Sequence, residues 1–364
     1  MTIIATFNVE NLFERPRAMN LPTWREGQPA ISAAGELNAL FNKRVYTERD
    51  KRRMLHLLRK FDLLGARSTN PFVTLRKVRG DLIERKRGQP ARIVAEGRGS
   101  WAGWAELKKE PLADAAITNT ARVIAAVNPD ILVLVEVESR PAVQHFHDEI
   151  LRPLVARPYP YNMVIDGNDE RGIDVGILSR FPIRQMRSHI SDRTGDARTF
   201  SRDCPEYYIE LPSGRELLVL PNHFASKGSD ATGKRRRVQS AAAARIYASL
   251  LRRFPLTIVA GDFNDHPGGG SLDALLKKTN LTDAMSLKQY QGKFPGTYQR
   301  ATAREKIDYL LLSPALRKRA EAVDVFRKGF YAPTKWESFE DINRENKARF
   351  QASDHHCLWA ALNL

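Results

Sequence analysis

The feature that most constrains this chain is a series of short, β-branched apolar runs, each closed by polar residues. "DILVLVEVE", "GIDVGILS", "EYYIEL", "ELLVLPNHF", "LTIVAGDF", "KIDYLLLS" and "HHCLWAALNL" follow an opening run over residues 1–9. Runs of this length bounded by Gly, Pro, Asn or Asp read as strands, and the wholly apolar ones as strands covered on both faces. Between them, helical spacing marks "ADAAITNTARVIAAV", which Asn128-Pro129 breaks from the strand that follows. Two more helices are expected, near Lys234 to Arg253 and over Ser271 to Lys278, the latter with Ser271 as N-cap. Many strands with few helices between them predict an α/β (α+β) fold, a two-sheet β-sandwich flanked by helices.

Residues 14–109 break this rhythm. They are basic, and "ERDKRRMLHLLRKFDLL" and "TLRKVRGDLIERKRGQ" show helical apolar spacing, so they read as a largely helical inserted arm with Leu55, Leu58 and Leu63 as its apolar stripe. The remainder, 1–13 and 110–364, reads as one domain. Trp101 and Trp104 are expected to anchor the arm's core, with stacking on unpaired bases as the alternative. Of the net charge of +16, twelve positive charges fall between Lys43 and Lys109, where 19 Lys or Arg face 7 Asp or Glu. An excess so localised is the footprint expected of a polyanion-binding protein.

Polar groups recur where the strands end: Asn8 and Glu10 in "FNVENLF", Glu136 in "LVLVEVES", His223 in "PNHFASK". Further along come Asp262 and Asn264 in "GDFND", Asp308 in "KIDYLLLS", and Asp354-His355 in "SDHHC". Each alone has an ordinary explanation as a turn, a cap or a satisfied histidine. Asp262 and Asn264, two apart, would share a face if the strand continued through them. Glu136 follows five apolar residues, and a carboxylate at the top of a buried strand is costly unless a cation compensates it. Carboxylate and amide oxygens with neither a cysteine nor a histidine cluster favour a hard ion. Cys204 and Cys357 lack metal-site spacing and read as buried thiols.

The ordered set "FNVENL", "EVE", "GIDVGILSR", "NHFASK", "GDFND", "KIDYLLLS" and "SDHH" resembles the endonuclease/exonuclease/phosphatase superfamily, with its deoxyribonuclease-I-like fold, over residues 1–13 and about 110–364. The resemblance implies that Glu136, Asn8 and Asp354 hold Mg2+ or Mn2+, and that Asp262 and Asn264 orient the attacking water and a phosphate oxygen. It further implies that His355 contacts the scissile phosphate, that Asp308 orients His355, and that His223 touches phosphate or helps protonate the leaving group. Arg202 in "FSRDCP" is the phosphate-binding candidate it suggests. His356, beside His355, is expected to turn to the opposite face and be structural. Arg235 and Arg237, at the start of the helix after Gly233, are candidate phosphate contacts because cations there oppose the helix dipole unless an anion is near.

The resulting expectation is a metal-dependent nuclease that hydrolyses nucleic-acid phosphodiester bonds, with DNA ahead of RNA as partner. Two alternatives stand beside it: a phosphatase or phosphodiesterase of the same fold acting on an inositol phosphate or phospholipid, and a nucleic-acid-binding protein whose site has decayed. The opening "MTIIATFNVENLF" has no basic stretch followed by a long apolar run, which leads to the expectation of a cytoplasmic monomer that does not engage membranes.

Overall fold

The computed structural model describes all residues except 20, 22–23, 66–67, 87 and 170–171. The chain divides into two compact units, Met1–Phe13 with Leu112–Leu364, and Glu14–Pro111. It begins with β1 (Thr2–Asn8) and leaves the larger unit at Phe13. The smaller unit then contributes α1 (Trp24–Phe41), α2 (Glu48–Lys60), β2 (Val73–Arg79) and β3 (Ala102–Leu107). The chain re-enters where it left, since the Leu112 N–H donates to the Phe13 carbonyl at 2.8 Å. Insertion between two such adjacent points leaves the host strands undisturbed.

After re-entry come α3 (Asp114–Val127), β4 (Ile131–Val137), β5 (Tyr161–Val164), β6 (Asp174–Ser179), β7 (Ile183–Arg187), β8 (Glu206–Glu210) and β9 (Glu216–His223). The chain continues through α4 (Lys234–Leu250), β10 (Thr257–Asp262), β11 (Thr282–Asp283), β12 (Asp308–Leu312), β13 (Ala320–Phe326) and β14 (Cys357–Leu362), with short helical turns between. Two six-stranded sheets result, ordered β13-β14-β1-β4-β6-β5 and β7-β8-β9-β10-β12-β11. Parallel pairing joins β1 to β4 and β9 to β10, and the other pairs are antiparallel.

Strand periodicity explains the layers. Ile131, Val133 and Val135 of β4 enter one core together with Val219, Ile258 and Leu310 of the other sheet. Leu132 and Leu134, pointing the other way, pack with Ile117, Ala121 and Ile124 of α3. The second sheet is backed in the same manner, with Leu218, Val259 and Leu311 meeting Ala243 and Tyr247 of α4. These strands read as continuous apolar runs because both of their faces are covered. The thiols of Cys204 and Cys357 are buried in these outer layers.

The structure departs from the sequence reading at four places. The helix expected over Ser271 to Lys278 is one turn, Asp273–Leu276, and the Ser271 hydroxyl donates to Asp265 instead of capping it. The smaller unit is helical only in its first half. The stretch from Thr74 onward forms β2, paired antiparallel with β3, because Val73 and Leu75 alternate with polar residues along a ribbon half covered by the unit's core. Trp101 is 1% exposed and fills that core against Phe41, but Trp104 is 41% exposed on the ribbon's other face, so only one tryptophan is an anchor. In α2 the apolar stripe runs through Met54, Leu57 and Leu58, with Leu55 only partly buried.

Candidate active site

Register builds the site. Parallel pairing places Asn8, the last residue of β1, opposite Val135, so that Glu136 emerges next to it. In the second sheet His223 pairs with Asp262, and Asp262 pairs in turn with Asp308, giving three neighbouring strand ends in one row. Gly261 sits just before this row with φ 130°, and a Cβ there would lie 2.0 Å from the Asn222 carbonyl oxygen, so the tight approach of β10 to β9 requires glycine. His355 arrives from the segment preceding β14, whose entry is fixed by the Ser353 hydroxyl: it donates to the Asn8 carbonyl at 2.7 Å and accepts from the His355 N–H at 3.0 Å.

The side chains meet across the two sheets. Asn8 Nδ2 donates to Asp262 Oδ2 at 3.2 Å and faces His355 Nε2 at 3.3 Å, while Asn8 Oδ1 accepts the Glu10 N–H at 3.0 Å. His355 Nδ1 lies 2.9 and 3.1 Å from the Asp308 carboxylate oxygens. His223 Nε2 is 3.5 Å from Glu136 Oε1 and 3.6 Å from Asp262 Oδ2. Asp354 Oδ1 stands 3.8 Å from His355 Nε2, and its backbone N–H donates to Glu10 Oε2 at 3.2 Å.

Asp262 and Asn264 do meet, though not as alternate residues of a strand. The strand stops at Asp262, Asn264 turns to φ 53°, and its backbone N–H and Nδ2 reach back to the two Asp262 oxygens at 2.8 and 3.1 Å. Glu136 has φ 63°, Glu10 φ 50° and Asn11 φ 70°. Left-handed backbone at non-glycine residues is strained and persists where the surroundings enforce it, and such residues concentrate here.

Burial and charge shape the titrations. Burial pushes the Asp262 carboxyl up to about 7; the His355 ring opposes this, while Asp308 and Glu136 add to it. Burial alone would lower His355, but Asp308 first, then Asp262 and Asp354, hold it well above its ordinary value. One ladder position beyond Glu136, Asp174 is raised to about 7 by burial, with the Gly167 N–H pulling the other way. His356 is buried on the opposite side, its ring nitrogen 3.0 Å from the Gln299 carbonyl, and serves packing.

Among the described residues, two groupings bring ligand atoms within 4.8 Å of one another: Glu136, His223 and Asp262, and Asp262, Asp308 and His355. Asp354 falls in neither. The donor set fits a hard divalent cation, because three convergent carboxylates carry more negative charge than two imidazoles and one amide offset, in a setting largely closed to water.

The phosphate candidates are placed differently from one another. Arg202 is no exposed loop arginine: it is 2% exposed, and its Nε pairs with Asp169 Oδ2 at 2.8 Å. Arg235 and Arg237 lie exposed on the first turn of α4, and among the described residues no hydrogen bond or ion pair joins them to the cluster. The arginine that this turn buries is Arg236, whose guanidinium donates to the Ala225 carbonyl at 3.0 Å. The reading of the sequence gave no role to Glu10, although "NVEN" displayed it, and missed Tyr298 altogether. The Tyr298 ring lies 4.8 Å from that of His355, and its hydroxyl is raised foremost by Asp354. No sequence signal marks Tyr298, because it reaches the site from a loop through an isolated bridge to His355.

A helix-flanked pair of sheets thus carries acidic and histidine side chains together at adjoining strand ends. The sequence profile of the Endonuclease/Exonuclease/phosphatase family matches residues 107–355, and the chain belongs to this family, with the family's deoxyribonuclease-I-like fold. Its members are hydrolases and typically use a divalent metal ion. A comparison with curated proteins finds no match. Solved structures similar to this chain include a mannosyl-6-phosphatase from Bacteroides thetaiotaomicron VPI-5482, at 17% identity and TM-score 0.49 over 68% of this chain and 90% of that one. The human Nocturnin catalytic domain with bound sulfate is 18% identical, with TM-score 0.48 over 70% and 89%. Truncated Caenorhabditis elegans TDP2 is 17% identical, with TM-score 0.45 over 69% and 91%. Among the described residues no helix is long and apolar enough to cross a membrane.

Proposed function

We propose that this chain is a Mg2+- or Mn2+-dependent nuclease that hydrolyses nucleic-acid phosphodiester bonds with water. One observation carries the hydrolytic part: a buried carboxylate with raised proton affinity, Asp262, stands beside a histidine pinned by Asp308. Asp262, braced by Asn264, orients the water and accepts its proton. His355, with Nδ1 held by Asp308, turns Nε2 toward the reacting phosphate and, as imidazolium, counters the charge that builds on its oxygens. His223 supports the leaving oxygen. Glu136, Asn8 and Asp354 would hold the metal ion, with Glu10 fixing the Asn8 amide and the Asp354 backbone. When bound, the ion draws charge from a phosphate oxygen. Arg202, fixed by Asp169, and the exposed Arg235 and Arg237 are proposed phosphate contacts. Residues 1–13 and 110–364 form the catalytic part and 14–109 the basic arm.

Nucleic acid is supported as substrate by the net charge of +16, and DNA is proposed ahead of RNA. A panel with Mg2+ or Mn2+ tests this: plasmid, single-stranded DNA, RNA, abasic duplex and an inositol phosphate. Metal-dependent cleavage of a nucleic acid is the expected result. Turnover of the inositol phosphate alone would overturn the substrate assignment, and turnover of none would overturn the hydrolytic one.

A further inference from the structure

The smaller unit carries a surface that the catalytic reading leaves unused. Along α2, Arg49, Arg52, Arg53, His56, Arg59 and Lys60 are all exposed. At 100° per residue they fall within an arc of about 120°, opposite the arc of Met54, Leu57 and Leu58 that is buried in the unit's core. The basic residues thus form one stripe down one face of the helix.

Alignment along one helix face, with cations left unpaired there, sets the stripe apart. Three neighbouring cations are matched: Lys43 with Asp50 at 2.5 Å, Lys51 with Glu96 at 2.7 Å, and Arg53 with Glu36 at 2.6 Å. Among the described residues, Arg49, Arg52, Arg59 and Lys60 have no carboxylate partner. The unit thus pairs some of the cations around its helix and leaves four along this one face without a carboxylate. From Arg49 to Lys60 the line is about 16 Å long at the helical rise. A single phosphate group could meet one or two of these cations. A polyanion with charges every few ångströms, such as a duplex strand with one phosphate per about 3.4 Å, meets all four. An anionic membrane is disfavoured, since a helix lying in a lipid interface must turn its apolar face outward, and the apolar face of α2 is committed to the core.

We propose that this face of α2 is a sequence-independent docking surface for the phosphate backbone of double-stranded nucleic acid. The inference rests on the nuclease reading and locates, within the arm, the charge that engages the substrate.

The test is binding of a fluorescein-labelled 30-base-pair duplex to the full chain in EDTA, followed by anisotropy from 50 mM to 1 M salt. In the variant R49Q/R52Q/R59Q/K60Q the slope of log K against log salt should be shallower by about 3 to 4, at roughly 0.9 per lost phosphate contact. Affinity should fall by about three orders of magnitude near 0.1 M salt and converge with that of the unsubstituted chain near 1 M. Glutamine is a good helix former, so α2 should persist. The charge-conserving R49K/R52K/R59K variant should retain the slope. Four exposed cations of the larger unit, Arg187, Lys288, Arg317 and Lys318, changed to glutamine serve as the control and should alter the slope less.

An unchanged slope in the α2 variant, or an equal loss in the control, would overturn the proposal while leaving catalysis untouched. Binding to phosphatidylserine vesicles that is abolished by the same four substitutions, with duplex binding intact, would also overturn it and assign the face to a membrane. Failure of the unsubstituted chain to bind duplex at 50 mM salt, together with hydrolysis of only small phosphate esters, would remove the nuclease reading itself.

Discussion

Replacing Asp308 by Asn should preserve the site's shape and remove one charge. In the folded protein the Asp308 carboxylate lies 2.9 and 3.1 Å from His355 Nδ1, whereas Asp262 and Asp354 stand 3.9 and 3.8 Å from the other ring nitrogen. The side-chain oxygen of the introduced asparagine still accepts the Nδ1–H, so orientation is retained and only the charge-assisted part of the bond is lost. A hydrogen bond to a charged group exceeds a neutral one by about 1 to 1.5 kcal/mol, which corresponds to about one pKa unit. The imidazolium of His355 should therefore release its proton at lower pH, and the high-pH limb of the kcat profile should move toward acid by that amount. Because the imidazolium acts only as charge develops on the phosphate, kcat should fall about 5- to 10-fold with KM nearly unchanged, as a loss of that size dictates. Hydrolysis of a chromogenic phosphodiester across pH, with a titration of the His355 ring by NMR, measures both. A ring that titrates as before in Asp308→Asn, or a loss confined to KM, would refute the assignment of His355 and Asp308.

Other outcomes follow from the same geometry. Glu136→Gln keeps the side chain's size and removes a full charge; Mg2+ affinity measured by calorimetry should weaken at least about tenfold, since one charge at close range is worth more than 1.4 kcal/mol even at an effective dielectric near 20, and unaltered affinity would remove Glu136 from the metal set. Thr47 caps α2 by accepting the Asp50 N–H at 3.2 Å and donating to its carboxylate at 2.8 Å, so Thr47→Ala should destabilise the smaller unit by about 1 kcal/mol; an unmoved urea midpoint would mean that the cap carries no stability. Replacing residues 14–111 by a short flexible linker should leave the larger unit folded, because Phe13 and Leu112 are already adjacent. The linker variant should hydrolyse a small phosphodiester at close to the full chain's rate, and an insoluble or metal-blind product would count against an independent catalytic unit.

Much of the fold was legible because its information is local. The runs "DILVLVEVE" and "LTIVAGDF" are apolar on both faces and end in carboxylates, and they became adjacent-sheet strands with Glu136 and Asp262 at their tips. What local patterning withholds is register. Nothing within "GDFND" reveals that its aspartate pairs with His223 on one side and Asp308 on the other, since those partners lie tens of residues away. The turn at Asn264 was hidden for a related reason: alternation presumes that the strand continues, and the Asp262 side chain ends it by accepting from the backbone two residues on. The smaller unit misled where charges mask periodicity, as in "TLRKVRG", whose arginines fit a helix and a ribbon equally well until Trp104 and Val78 are seen exposed and Val73 buried. Arg202 and Arg236 show the limit of reading cations from sequence, because burial of each depends on carbonyls and carboxylates supplied by other segments.

The strand order of the first sheet has a consequence for synthesis. β1 is flanked on one side by β4 and on the other by β14, paired Thr2 with Leu362, so one of its neighbours is made hundreds of residues after it. Asn8 can acquire His355 as a neighbour only after 347 further residues have been added. Contacts of such separation form late. A nascent chain therefore carries its acidic strand tips without the histidine that completes them, and under the proposed function a nucleic-acid hydrolase made on an RNA template stays inert until translation has passed β14. Ribosome-stalled chains ending before Ser353 should bind no more than their basic arm allows and cut nothing.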